Sequence, residues 1–274
     1  MGSVIVLALV LIGVLTGLTT VLFGFGGGFV TVPVIIWVDA AVGSDVGTVA
    51  VATSAIVMVV NAAVATAAAP RPVLARLRGR GALLCLLAAG GLFGALAALE
   101  APAEVNSWGF VIYVAVTIVD ALARPGFLRS ADAPSDEAPW RAIPTALGAP
   151  IGAVASFLGV GGSVMTVPLM RRAGLPMRYA AALANPLTLA IIVPAAAVFL
   201  FARRLSDSHG ALLPVGVVDL GAAALLLAGA IPVIVAVRRR PPYIPDRVHA
   251  RAYVGLLAVV VAVMLIPLLR TRGA

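Results

Sequence analysis

Seven stretches of this 274-residue chain stay apolar for close to the length a helix needs to cross a bilayer: 3–22, 47–69, 81–99, 107–123, 179–202, 213–237 and 252–269. A spanning helix takes about 20 apolar residues, and in hydrocarbon each backbone N–H and C=O must find its partner inside the protein. Composition agrees, at 62% hydrophobic and 11% charged with a mean hydropathy of +1.13. A soluble domain is about 45–50% apolar and about 25% charged, and a chain of this size still needs a polar shell. The chain reads as an all-α, multi-pass membrane protein of the cell's inner membrane. The run at 3–22 has no basic leader and passes into more membrane sequence, so it reads as a membrane helix and not a cleavable signal peptide.

The formal charge of +8 comes from 19 basic residues, every one an arginine, set mostly at the ends of the apolar runs. Topology determinants belong there. A nucleic-acid surface needs basic residues interleaved with aromatics on one polar face, and no segment has that pattern. Three loops are plainly polar, at 70–80, 124–141 and 238–251. Cys85 stands alone, so no intramolecular disulfide forms, and it reads as a small apolar residue of a helix.

A glycine cluster occurs twice. Residues 23–33 read FGFGGGFVTVP and residues 158–168 read LGVGGSVMTVP, with six identities in eleven positions at an offset of 135. This is an internal duplication. If each cluster turns the chain back, 15 of the 19 arginines fall on one face of the membrane; if the chain passes straight through, they divide 8 against 11. The positive-inside rule favours the turn, with both termini outside. Residues 29–38 extend only about 15 Å as a helix, half a bilayer.

The expected architecture is therefore two inverted repeats, each a glycine-tipped hairpin plus three transmembrane helices. The first repeat is 1–123, with hairpin 3–38 and helices 47–69, 81–99 and 107–123. A cytoplasmic linker at 124–141 leads to the second, 142–274, with hairpin 142–170 and helices 179–202, 213–237 and 252–269.

Glycine leaves backbone N–H groups uncovered and permits φ > 0. A hairpin tip followed by a helix start directs free N–H groups and a positive dipole end at one point, which makes an anion site without a charged side chain. The expected substrate-binding residues are thus Gly24, Gly26, Gly27 and Gly28 with Thr31, and Gly159, Gly161 and Gly162 with Ser163 and Thr166. Thr53 and Ser54 of AVATS, and Asn185 of ALANP, hold comparable places in the two halves and join that set. Pro186 frees a carbonyl one turn earlier and predicts a local opening. Gly90, Gly91 and Gly94 read as helix-packing residues.

Among the carboxylates, Asp120 is expected to pair with Arg124 four residues on. Asp219, six residues into the 213–237 helix, is the candidate for proton coupling. His209 and His249 read as solvated loop residues. No Ser–His, paired-Asp or HExxH arrangement lies in the helices, so the chain does not read as an enzyme, and no cofactor or metal is expected.

The residues GFGGGFVTVP with AVATS, and GVGGSVMTVP with LPMRYAAALANP, resemble the TauE/SafE sulfite exporter family, also known as the four-toluene-sulfonate uptake permease family. The resemblance covers both halves, with Ser163 where a third glycine is common and Asn185–Pro186 in place of a Thr–Ser pair. It implies transport of sulfite, sulfonates or similar small anions. With the interior negative, exporting one negative charge gains about 2.3 kcal/mol per 100 mV, so an uncoupled carrier exports. Alternatives are a proton-coupled importer of small organic anions and a non-transporting membrane scaffold. The partners expected are a small anionic substrate and the lipid bilayer, with no nucleic acid; the sequence sets no oligomeric state.

Overall fold

The computed structural model describes residues 2–39, 46–128, 143–202 and 214–270. The linker beyond residue 128, Arg203, Arg204 and His209 lie outside the described residues. The first half contains α1 (Gly2–Phe23), α2 (Gly28–Asp39), α3 (Val46–Ala67), α4 (Arg71–Ala75), α5 (Gly81–Glu100) and α6 (Ala103–Ala123). A single 3-10 turn at Thr145–Leu147 leads into α7 (Gly148–Phe157), then α8 (Ser163–Arg172), α9 (Met177–Phe201), α10 (Leu220–Arg239) and α11 (Asp246–Arg270). Seven of these are long and apolar enough to cross a membrane: α1, α3, α5, α6, α9, α10 and α11.

Three expectations on element bounds need correction. The loop at 70–80 holds the short helix α4. The helix expected from 213 starts at Leu220, because β1 (Pro214–Val215) and β2 (Val218–Asp219) pair antiparallel ahead of it. Gly216 makes that reversal at φ 58° and sits against the carbonyls of Phe199 and Leu200, where a Cβ has no room. The last helix starts at Asp246, well before 252, because the apolar signal misses its first turns. An acidic residue in a first turn suits the helix dipole, and Ala250 and Tyr253 are already fully buried.

Proline opens several elements. Pro70, Pro102, Pro144 and Pro176 each precede a helix start with φ between −57° and −60°, without a side-chain cap. Their fixed φ suits the approach to a helix, where the missing N–H costs nothing.

The helices α3 and α9 form the centre. Their spanning windows are 61% and 56% buried, against at most 39% for the other five. Both are rich in alanine, and Ala52, Ala55, Ala180 and Ala184 are fully buried. The outer faces are the reverse. Leu7, Leu11 and Leu15 of α1 are 61%, 59% and 48% exposed, and Ile112, Val116 and Val119 of α6 are 59%, 61% and 63% exposed. Stripes at helical spacing of this kind are lipid-facing surface.

Small residues set the closest approaches. A Cβ on Gly13 would strike the Leu226 carbonyl, and one on Gly17 the Ala230 carbonyl. Gly90 and Gly94 of α5 stand in the same relation to Ala149 and Ala153 of α7. In each case the partner number rises with the glycine number, so α1 runs parallel to α10, and α5 to α7. Without a hydrophobic drive between helices in lipid, such backbone proximity supplies the attraction.

One charged knot binds the ends of α6, α8, α9 and α11. Arg171 is fully buried; its guanidinium donates to the Phe127 carbonyl at 2.8 and 3.2 Å, to the Leu175 carbonyl at 3.0 Å and to Asp246 Oδ2 at 2.8 Å. Asp246 Oδ1 accepts the Met177 N–H at 2.7 Å. Asp120 pairs with Arg124 at 3.0 Å as expected, and with Arg172 as well. Arg76 lies over the Tyr179 ring at 6.0 Å. Arginines of 70–80, 124–128 and 171–178 thus gather at one end of the bundle.

Gly94→Val should force α5 away from the Ala153 backbone, at a cost of about 1–3 kcal/mol for overpacking. A lowered melting temperature of the purified variant, with ligand-induced stabilisation retained, is the expected result. An unchanged melting temperature would contradict the packing role.

Candidate functional site

Two glycine turns lie buried in the middle of this bundle. Gly24–Gly27 joins α1 to α2, and Leu158–Gly162 joins α7 to α8; Phe23–Pro33 and Leu158–Val164 are buried throughout. Gly24, Gly26 and Gly27 have φ of 77°, 66° and 100°, and Gly159 and Gly161 have 65° and 67°. Side chains rarely adopt that region, so only glycine makes these turns without strain. Gly162 departs from the expected equivalence with Gly27: its φ is −75°, an ordinary helical value, as the N-cap of α8.

The turns touch. A Cβ on Gly28 would lie 2.6 Å from the Gly159 carbonyl. Gly26 and Gly161 both face Thr188 of α9 and Met58 of α3, at 3.2 and 3.4 Å for the first and 3.0 and 3.2 Å for the second, measured from the Cβ each lacks. Ser54 shares its hydroxyl proton between the carbonyls of Val51 at 2.8 Å and Gly159 at 3.3 Å, so it reaches the second turn. Tyr253 of α11 closes the other side. Its ring is 5.1 Å from that of Phe25, and its hydroxyl donates to the carbonyls of Ser163 and Val164 at 3.4 and 3.3 Å.

The turns leave donors unspent. Val30 and Thr31 donate their N–H groups to the Gly27 carbonyl, and Thr166 donates to that of Gly162. Among the described residues, no acceptor meets the N–H groups of Gly26, Gly27, Gly161 or Gly162. Several buried side-chain atoms nearby are also without partners: Ser163 Oγ, Thr166 Oγ1, Thr188 Oγ1, Asn185 Oδ1, and both polar atoms of Asn61. A Cβ on Gly27 would sit 2.7 Å from Asn61 Nδ2, which places that amide on the first turn. Such groups cost about 1–3 kcal/mol each when buried and unpaired. Two helix starts, uncovered N–H groups and neutral hydroxyl and amide donors favour an anion.

Some expected site residues are occupied otherwise. Thr31 spends its hydroxyl on the Gly27 carbonyl at 2.9 Å, and the Asn185 amide donates to the Ala181 carbonyl at 3.1 Å. Thr53 uses its hydroxyl oxygen to accept the Asp219 N–H at 3.0 Å. Pro186 produces no opening, since α9 continues through it from Met177 to Phe201. Sequence reasoning missed Met58, Asn61, Thr188 and Tyr253. Helical spacing was the available signal for three of them: Met58 and Asn61 lie four and seven residues beyond Ser54, and Thr188 three beyond Asn185, on shared faces.

His249 and Asp219 also require correction. His249 is buried on α11, 6% exposed, with Nε2 donating to the Leu22 carbonyl at 2.6 Å. Asp219 is the N-cap of α10 and does not lie six residues inside it; Oδ1 accepts the N–H groups of Gly221 and Ala222 at 2.9 and 3.1 Å. An asparagine caps comparably, whereas alanine loses about 1 kcal/mol. Asp219→Ala should therefore lower the melting temperature, while Asp219→Asn keeps it and keeps any pH dependence of transport. Loss of pH dependence in Asp219→Asn would instead make this carboxylate the proton carrier.

No curated protein and no solved structure matches the chain. The family model described as sulfite exporter TauE/SafE matches residues 9–265, nearly the whole length. With seven helices able to span a membrane, the chain belongs to the TauE/SafE sulfite exporter family of membrane transporters.

Proposed function

We propose that this transporter carries a small sulfur oxyanion or sulfonate out of the cell, and that the substrate binds between the two glycine turns. The observation that carries this reading is the set of unspent N–H groups on two adjoining, fully buried turns, beside the unpartnered Ser163, Thr188 and Asn61. No charged side chain is needed there. Hydrogen bonds to a charged group contribute about 1.5–3 kcal/mol each, so a few N–H and hydroxyl donors suffice for a singly or doubly charged oxyanion.

The inverted-repeat architecture belongs to the same proposal. Two features support it. Gly24 and Gly26 share their left-handed conformation with Gly159 and Gly161 at the constant offset. The packing is also reciprocal: Gly24 rests on Ala181 and Ala184 of α9, and Gly159 on Val51 and Ser54 of α3. In the same way α1 lies on α10 while α7 lies on α5. Each turn thus docks on the central helix of the other half, and a rocking of the halves would open the site to either side. The gathering of arginines at one end supports a cytoplasmic location for that end and an outside location for the termini.

Binding of a ligand to the folded state raises apparent stability as concentration exceeds Kd. Sulfite, thiosulfate or methanesulfonate should therefore raise the melting temperature of purified protein. Gly27→Val and Gly161→Val should each reduce that rise, through backbone strain and crowding of the turn. Thr188→Val, nearly isosteric, should weaken binding about tenfold or more, the worth of one charge-assisted hydrogen bond. Undiminished stabilisation in all three variants would place the site elsewhere.

A further inference from the structure

A cationic recess lies just beyond the first glycine turn. It is a pocket of about 140 Å³ at the ends of α1, α9, α10 and α11, lined by Leu22, Arg178, Arg238, Tyr243, Ile244 and His249. At about 30 Å³ per water in the liquid, it has room for a small oxyanion with a few waters.

Two guanidinium groups, of Arg178 and Arg238, stand at its wall. Arg238 has Nε and Nη2 fully buried and without a hydrogen-bond partner. Arg178, an exposed residue of the pocket lining, lies with its guanidinium 4.7 Å from the Tyr179 ring and donates from Nη2 to the Tyr179 hydroxyl at 3.3 Å. His249 forms the wall toward the turn: its Nε2–H donates to Leu22, and its ring lies 5.4 Å from Phe23, which in turn lies 5.8 Å from Phe25 of the turn itself. Among the described residues, no carboxylate lines the pocket. The nearest on α11, Asp246, is engaged by Arg171 and the Met177 N–H. Buried guanidinium N–H groups are costly without acceptors, and the planar fork of arginine matches an oxyanion.

We infer that this pocket is an anion subsite for the same sulfonate or sulfur-oxyanion class, holding the substrate next to the glycine turns on the arginine-rich side. The inference rests on the transport reading above for its place on the path, while its ligand chemistry stands on the pocket alone.

The test uses a thiol in the pocket wall. Ile244→Cys in a Cys85→Ala background is reacted with two methanethiosulfonate reagents, one bearing a sulfonate and one a trimethylammonium group. A cationic pocket concentrates the anionic reagent, so its relative rate should exceed that for free cysteine by about tenfold. Arg178→Gln with Arg238→Gln should return the ratio to the free-cysteine value. Methanesulfonate should slow the anionic reagent, and should still do so in Gly161→Val. A ratio equal to that of free cysteine overturns the subsite, as does protection that survives loss of both arginines. Slowing by phosphatidylglycerol in nanodiscs, with none by methanesulfonate, assigns the pocket to lipid headgroups and also overturns it. If Gly161→Val keeps the full ligand stabilisation of the unsubstituted protein while the labelling results hold, the glycine-turn site fails and the pocket stands.

Discussion

A backbone N–H at membrane depth has no water to turn to, and leaving it unpaired costs several kcal/mol. The rest of this structure can be understood from how it meets that constraint. Along the long helices the groups are paired within the helix. At two places the chain does something else: it turns on glycine and presents N–H groups to a buried spot. A helical protein tolerates irregular backbone at such depth only where it is buried in protein or lines a cavity. The two turns are surrounded accordingly, by α3, α9 and α11.

The surroundings explain several otherwise unrelated choices of residue. Alanine on α3 and α9 lets the turns approach the central helices, and Gly28 lets the Gly159 carbonyl come within van der Waals reach of the first turn. Tyr253 joins the two, its ring tilted against that of Phe25 and its hydroxyl hydrogen-bonded to carbonyls that begin α8. Glycines on α1 and α5 bring α10 and α7 into backbone contact, so each turn hangs from a helix held by the other half. The buried Arg171–Asp246 pair ties four helix ends together, and its extra hydrogen bonds to Phe127 and Leu175 offset the cost of placing a cation there.

Much of the helical frame was legible in the sequence because hydropathy in a membrane is nearly a direct readout of backbone pairing. Short, polar or amphipathic pieces escaped it: α4, the small strands around Gly216, and the first turns of α11, where arginine and aspartate hide a face that buries Ala250 and Tyr253. The glycine turns were visible as a duplication, but their conformations were not fully equivalent, since the residue after the second turn's Gly161 is already helical. Hydroxyls and amides were the hardest to read. Thr31 and Thr166 occupy matched positions, yet one bonds back to its own turn and the other is unpartnered. His249 and Asp219 were misplaced for a related reason, because a polar residue near a helix end reads the same whether it is solvated, buried or capping.

On the proposed reading, an oxyanion sits between the turns. Selenite is close to sulfite in shape and charge, and selenium scatters anomalously. Crystals grown with saturating selenite should show an anomalous peak between the turns, placed so that the selenite oxygens lie about 2.7–3.2 Å from the backbone nitrogens of Gly26 or Gly27 and of Gly161 or Gly162, with the selenium itself one bond length further away. Peaks found only outside the space between the turns would contradict the account.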